Sequence, residues 1–370
     1  MGSDKGKLRH AVIGAAAGIF SSHLPGLQLP EVDLVALMDI NVALGQQRAQ
    51  ELGCAFYNDH HQMLQQEQPD VVTVMTPHPL HARLAIDSLR AGSHVLVEKP
   101  IAVQVGEADE MIHVATEQQR LLGVVFQQRF RPEVKTARRL LLEGRLGALQ
   151  RVEFTVAWTR PASYFQQATW RGTWKGEGGG VLMNQAAHNL DLLCYLIGAP
   201  ERLVAWTPRL LHNIEAEDTA HALLEFPGGV LGYLHISTAE VDKVERLKIV
   251  GTAGSMEISR QQALTVRLLD TDIRDFVKTS PNPYSSPGEQ QVEVELEAGQ
   301  GKHVEVYQAF HRAISQGEPF ISPGEAGLAA LELANGLIYS HYTHSQVELP
   351  LNRQKYADLL AGLRDGKGQQ

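Results

Sequence analysis

Two stretches of this sequence carry residue types and spacings suited to proton and hydride transfer. Asn184, His188 and Asp191 lie at i, i+4 and i+7, so a helix over 184–197 would set them on one face, with Leu190, Leu193 and Ile197 on another. Gly178-Gly179-Gly180 precedes this run and Gly198 closes it. A polar group buried without a partner costs stability, so a polar stripe with a histidine in an apolar helix calls for a partner elsewhere. Glu98-Lys99-Pro100, directly after the apolar run His94–Val97, is that partner. Histidine suits proton transfer because it titrates near pH 6.5. Lysine can hold the same substrate oxygen as a donor, and burial beside a positive charge lowers its pKa enough to share the proton. Pro100 biases Lys99 toward an extended backbone.

The hydride needs a carrier, and the N-terminus suggests one. Residues 10–14, HAVIG, read as a buried strand, followed by the small-residue turn Gly14-Ala15-Ala16-Ala17-Gly18 and a helix reaching about Leu27. Backbone N–H groups in such a turn face a phosphate. The turn departs from G-x-G-x-x-G, with Ala16 at the place of the second glycine. Asp39, at the end of the next strand and 25 residues after Gly14, is placed to accept bonds from ribose hydroxyls. Together they predict a nicotinamide dinucleotide. NAD is expected over NADP, because Asp39 repels a 2′-phosphate and Ile40 and Asn41 bring no positive charge; Arg48 lies farther along.

The elements that position these residues alternate. Strands at 33–38, 71–75, 94–97 and 122–126 are separated by helices at 42–52, 79–91 and 105–120, which predicts a parallel, doubly wound sheet. After Phe126 the pattern changes. A helix over 133–143 leads to strands at 151–158, 202–211, 219–226, 230–237, 246–250, 264–269 and 292–296, with a hairpin signal at Pro227-Gly228-Gly229. Strands without intervening helices imply an antiparallel sheet. Helices are expected at 303–315 and 323–343, and residues 271–289 read as a surface loop. The fold class is therefore α/β, with a Rossmann domain over 1–126 and a second α/β domain over 127–370 whose sheet is open and mostly antiparallel.

Composition narrows the function classes. The 370 residues are 44% hydrophobic and 20% charged, with a formal net charge of −9 and no run of like charges. This argues against nucleic acid or a membrane surface as partner. Cys54 and Cys194 lie in apolar segments, so buried free thiols, a reducing compartment and a cytoplasmic location are expected. The apolar run Ala11–Phe20 is glycine- and alanine-rich and reads as part of the fold, not as a signal peptide. No metal centre is expected, since neither cysteine has a Cys or His at metal spacing and His60-His61 reads as a solvated helix start.

The chain resembles the glucose–fructose oxidoreductase/inositol dehydrogenase/rhizopine catabolism (Gfo/Idh/MocA) oxidoreductases. The resemblance rests on VIG with SSHLPGL (Ser21–Leu27), Ala36–Asp39, TPHPLH (Thr76–His81), AGSHVLVEKP (Ala91–Pro100), QQRF (Gln127–Phe130), WRGTWKGEGGG (Trp170–Gly180), HNLD (His188–Asp191) and SPGEAGLAALEL (Ser322–Leu333). It implies NAD(H) or NADP(H) at the first domain. Cofactor contacts would come from Gly14, Ala16, Ala17, Gly18, Ile19, Asp39, Thr76, Pro77, His78, His81, Glu98, Lys99, Gln127, Trp170 and Arg171. A sugar or cyclitol would lie between the domains, contacted by Lys99, Arg129, Tyr164, Asn184 and His188, with Lys99 and His188 catalytic. Many members carry Asp where this chain has Asn184, and a common Asn is replaced by His78. Trp158, Tyr164 and Trp170 offer stacking surfaces for a sugar ring.

Three functions fit this pattern. The first is dehydrogenation of a secondary alcohol of a sugar, sugar derivative or inositol. The second is a glycosidase that keeps NAD bound and eliminates the aglycone through transient oxidation. The third is a non-enzymatic sensor, against which the retained lysine and histidine argue. A sheet covered on one face leaves an apolar surface, so a homodimer or homotetramer through 219–226 and 230–237 is expected.

Overall fold

The computed structural model describes residues 6–260 and 263–366. The first half runs β1 (Leu8–Ile13), α1 (Phe20–Leu27), β2 (Val32–Met38), α2 (Val42–Leu52), β3 (Ala55–Tyr57), α3 (His60–Glu67), β4 (Val71–Val74), α4 (His81–Arg90), β5 (His94–Val97), α5 (Val105–Glu117) and β6 (Leu122–Val124). Then come α6 (Pro132–Leu142), β7 (Leu149–Ala157), α7 (Ala162–Gln166), α8 (Ala187–Ile197), β8 (Arg202–Trp206), β9 (Thr219–Phe226) and β10 (Val230–Ser237). The chain continues through β11 (Val244–Gly251), β12 (Gly254–Ser259), β13 (Thr265–Leu269), α9 (Ile273–Thr279), β14 (Glu289–Val292), α10 (His303–Gln316), α11 (Gly324–Thr343), β15 (Val347–Glu348) and α12 (Arg353–Arg364).

Two compact units form. The first comprises residues 1–127, 176–178 and 301–331. Its six strands pair in the order β3-β2-β1-β4-β5-β6, all parallel. All four residues of β4 and the last four of β1 are buried, because such a sheet is covered on both faces. The order reverses between β1 and β4, and the carboxyl ends of these strands form the cleft where ligands of such sheets bind.

Residues 301–331 join this first unit, although the sequence suggested one continuous second domain. The physical reason is packing. The Tyr307 ring of α10 lies against Gly26 of α1, and its hydroxyl reaches Thr73 Oγ1 of β4 at 3.2 Å. Beyond α10, Ser322 exchanges two hydrogen bonds with Val124 and covers the β6 edge.

The second unit holds 128–175, 179–300 and 332–370. Its nine strands are ordered β14-β13-β12-β11-β7-β10-β9-β8-β15, antiparallel throughout except for the β7–β10 pair. Along β9 and β10 buried residues alternate with exposed ones over much of their length, as expected of a sheet with one face in the core. Both strands fall where the sequence placed them. Elsewhere the boundaries differ. The strand expected over 202–211 stops at Trp206, and that over 292–296 lies instead at Glu289–Val292. The expected loop 271–289 contains α9, because the Asp272 carboxylate accepts the Arg274 N–H and starts a helix.

Candidate functional site

In the first unit the sheet's carboxyl edge opens into a cleft of about 360 Å³, lined by Gly14, Ala16, Ala17, Asp39, Ile40, Thr76, Pro77 and their neighbours. Gly14 has φ +96°, and a Cβ there would lie 2.8 Å from the Met75 carbonyl carbon, so only glycine lets β1 turn this close to β4. Asp39 directly follows β2 and is 8% exposed. One oxygen accepts the Ala16 N–H at 2.7 Å and the other the Asn41 N–H at 2.8 Å. Each oxygen keeps acceptor capacity facing the cleft. Gly18 and Ile19 are exposed on the same turn. Arg48 of α2 does reach this turn: Nη1 donates to the carbonyls of Ala15 and Ala17, and the guanidinium lies 4.7 Å over the Phe20 ring. These residues fit a dinucleotide: a glycine-led turn, an acceptor pair at its rim and an apolar slot beside them.

Lys99 follows β5, half-buried, and its peptide bond to Pro100 is cis. Glu98 beside it is 7% exposed. Its Oε1 accepts from His23 Nε2 at 3.0 Å and lies 3.7 Å from His303 Nε2. His23 Nδ1 meets the Tyr307 hydroxyl at 2.9 Å. Although burial opposes it, the His23 hydrogen bond and the charges of His23, Lys99 and His303 lower Glu98 to about 2, so it is a carboxylate at neutral pH. Burial lowers His303 to about 4.

Two expected cofactor contacts have other partners. His81 is fully buried, with Nδ1 2.8 Å from the Pro100 carbonyl and Nε2 2.7 Å from that of Thr76, so it ties α4 to the Lys99-Pro100 corner. His78 is 7% exposed, and its Nδ1 lies 3.3 Å from the Glu177 carbonyl. Burial lowers it well below its ordinary value, so it is neutral. His60 is not solvated as expected. It is 5% exposed, lines the cleft and bonds Asp87 at 2.9 Å. Two groups, His23–Glu98–His303 and His60–His61–Asp87, bring potential ligand atoms within 4.8 Å of one another, which local spacing did not reveal.

In the second unit, α8 begins at Ala187, not at 184. Glu217, 2% exposed, accepts the N–H groups of Gly180 and Leu182 at 2.9 and 3.1 Å and holds residues 180–186 in turns. Gly180 must be glycine: a Cβ would stand 1.9 Å from the Glu217 carbonyl oxygen. His188 is therefore in the first turn of α8, half-buried, with Asn184 in the turn before it. Asn184 Nδ2 reaches the Tyr164 hydroxyl at 3.4 Å, and Arg171 Nη1 donates to that hydroxyl at 2.7 Å. Arg171 also lies 4.8 Å over the Trp170 ring.

Asp191, the third member of the stripe, is buried against Arg129 through contacts of 2.5–3.2 Å. Complete burial pushes its carboxyl up to about 6, with Arg129 opposing the rise. Arg129, expected at substrate, is 4% exposed and fixes α8 through Asp191. Gln127 is half-buried where a short 3-10 turn starts. Sequence reasoning missed His23, His303 and Glu217, whose partners lie far away in the chain.

A parallel sheet ordered 3-2-1-4-5-6 with a phosphate turn and a terminal carboxylate defines a dinucleotide-binding oxidoreductase domain. Residues 8–126 match the profile of the oxidoreductase family with an NAD-binding Rossmann fold, and residues 134–257 match the GFO/IDH/MocA C-terminal domain. The chain belongs to the Gfo/Idh/MocA oxidoreductase family. It is 30% identical over 262 residues to an uncharacterized oxidoreductase of Synechocystis sp., covering 66% of this chain and 70% of that one. It is 26% identical over 368 residues to the D-glucoside 3-dehydrogenase of Escherichia coli, covering 92% and 97%. Among solved structures, the WlbA dehydrogenase of Chromobacterium violaceum, in complex with NADH and UDP-GlcNAcA, is 28% identical with a TM-score of 0.81 over 94% of this chain and 98% of that one. No helix among the described residues is long and apolar enough to cross a membrane.

Proposed function

We propose that this protein is an NAD-dependent dehydrogenase of a secondary alcohol in a sugar, sugar derivative or cyclitol, with Lys99 and His188 handling the hydroxyl proton. The observation that carries this reading is the carboxyl edge of the first unit's sheet, where Asp39 follows β2 and Lys99 follows β5 beside an ionised Glu98. Bound NAD supplies the hydride acceptor. Asp39 and the turn from Gly14 to Ile19 hold the adenosine half. Lys99 donates to the reacting oxygen and stabilises the negative charge that develops as its proton leaves. His188 takes that proton in oxidation and returns it in reduction. Asn184 cannot take a proton; its amide positions the substrate or the histidine. NAD is preferred over NADP because Asp39 is an anion at the ribose position, while Arg48 is held by turn carbonyls.

The test is kinetic. In Lys99→Ala and His188→Ala, turnover on a substrate found by screening sugars and inositols for NADH formation falls about 10²–10⁴-fold each. NADH affinity, read by fluorescence titration, changes far less. The double variant loses less than the product of the single losses, because both residues serve one proton transfer. Near-normal turnover in His188→Ala removes it from the mechanism.

A further inference from the structure

The second unit contains a cleft of about 940 Å³ whose wall carries Arg160, Arg171 and Arg209 against one acid, Glu215. We infer that this cleft binds an anionic group, a carboxylate or phosphate ester, on the substrate. This rests on the dehydrogenase reading and narrows it from sugars in general to acidic sugar derivatives.

The wall is cationic on a protein whose net charge is −9, so the arginines do not reflect a generally basic surface. Their side chains are also oriented. Arg171 is fixed by the Tyr164 hydroxyl, and its guanidinium lies 4.5 Å over the Tyr164 ring. That of Arg160 lies 5.1 Å over the same ring and 5.5 Å over Trp158. The Nε of each is buried without a protein partner, so each guanidinium keeps unspent donor capacity. Arg209 is exposed at the cleft, and its Nη1 donates to the Ile214 carbonyl. Glu215 is partly occupied by the Trp174 N–H at 3.1 Å.

The loop behind the wall is tied down by hydrogen bonds. Asp218 accepts the N–H groups of Leu210, Leu211 and His212 at 2.8–2.9 Å. His212 Nδ1 meets the same carboxylate at 3.0 Å, and its Nε2 donates to the Arg160 carbonyl at 2.8 Å. Three guanidinium forks on a fixed frame match an oxyanion, which they can bind bidentately. They match a neutral ring poorly, since guanidinium groups already lie over Tyr164, one of the aromatic faces that could stack on a sugar. The Tyr164 hydroxyl that holds Arg171 of the cleft wall also contacts Asn184, so one hydroxyl joins the wall to the proposed catalytic stripe within this unit.

The full-length protein, loaded with NAD, is titrated with D-glucuronate, D-glucose 6-phosphate and D-glucose while tryptophan fluorescence is followed. At least one anion binds ten times or more tightly than glucose, and added salt weakens it. Arg160→Gln and Arg209→Gln each weaken that anion about 10–100-fold and leave glucose unchanged, as expected for a lost charge-assisted contact. Arg209 is exposed, so its variant does not depend on core packing. Preference for glucuronate identifies a carboxylate as the source, and preference for glucose 6-phosphate a phosphate. Equal binding of glucose, no binding of either anion, or anion binding indifferent to both variants overturns the inference.

Turnover separates the anion site from the dehydrogenase activity. NADH formation is measured on matched neutral and acidic sugars; the acidic member has the lower KM, which Arg209→Gln raises with kcat moved less. NADH formed from neutral sugars with an arginine-independent KM overturns the anion site and leaves the dehydrogenase. Arginine-dependent anion binding with no NADH from any sugar leaves the anion site and defeats the dehydrogenase.

Discussion

Asp39→Asn separates what this carboxylate does for the fold from what it does for the cofactor. Its two oxygens accept two backbone N–H groups at 2.7 and 2.8 Å. Asparagine keeps one acceptor and turns an NH₂ toward the second donor, leaving one N–H of the turn unsatisfied. That costs about 1–3 kcal/mol. The charge matters separately: two unit charges about 5 Å apart at an effective dielectric of 20 repel by about 3 kcal/mol, roughly a hundredfold in affinity. Removing the charge lifts that penalty on a 2′-phosphate and leaves Arg48 as the nearest charge on the turn. The ratio of NADPH to NADH dissociation constants, measured by fluorescence titration, should therefore fall about a hundredfold, while the thermal midpoint drops by several degrees. Wild-type protein binding NADPH as tightly as NADH, or an unchanged ratio in the variant, refutes the reasoning. A changed ratio with no loss of stability refutes only the structural half.

Three further outcomes follow from the geometry. Gly180→Ala drives a Cβ into the Glu217 backbone and should cost about 3 kcal/mol or more, seen as a lowered urea midpoint; an unchanged midpoint counts against the close approach. Burial lowers His94 and His303 to about 4 and His10 well below its ordinary value. The unfolded chain binds these protons near pH 6.5, whereas folded His94 and His303 bind theirs only near 4 and buried His10 also resists protonation, so stability falls as pH drops below 6.5. His303→Asn should flatten the decline, and an identical profile removes His303 from it. Trp206, Leu223, Leu231 and Tyr233 are exposed on neighbouring strands β8, β9 and β10, which supports self-association as a dimer or tetramer; only monomer in light scattering at micromolar concentration excludes it.

What the sequence revealed depended on how local the signal was. Asp39 was legible because a parallel strand ends at a predictable place and the carboxylate follows it directly. Arg48 was not, because its reach from α2 to the turn after β1 depends on how helix and turn pack. The alternating burial of β9 and β10 gave their boundaries. The start of α8 stayed hidden, since Glu217, distant in sequence, accepts the N–H groups of Gly180 and Leu182 and the chain runs in turns up to Ala186. The stripe at 184, 188 and 191 thus separated into Asn184 near Tyr164, His188 on the first helical turn, and Asp191 inside an ion pair. At 271–289 the reading as a surface loop missed α9, whose first turn is started by the Asp272 carboxylate accepting the Arg274 N–H. His303 and Tyr307 carry no local mark; their partners Glu98, His23 and Thr73 lie about 200 residues or more away.

The packing of α10 on α1 bears on how the protein is made. Thr73 waits for Tyr307, Glu98 for His303, and the β6 edge for Ser322. A ribosome that has released only the first 130 residues has therefore delivered a parallel sheet with one edge bare and one helix face open. Slow, long-range pairing of this kind leaves apolar surface exposed during synthesis. The dinucleotide half cannot close until about 330 residues have emerged, after most of the other half is available to fold. A gene fragment cut at the apparent end of the Rossmann pattern should accumulate as insoluble protein, and adding residues 301–331 in trans should be the shortest route to its recovery.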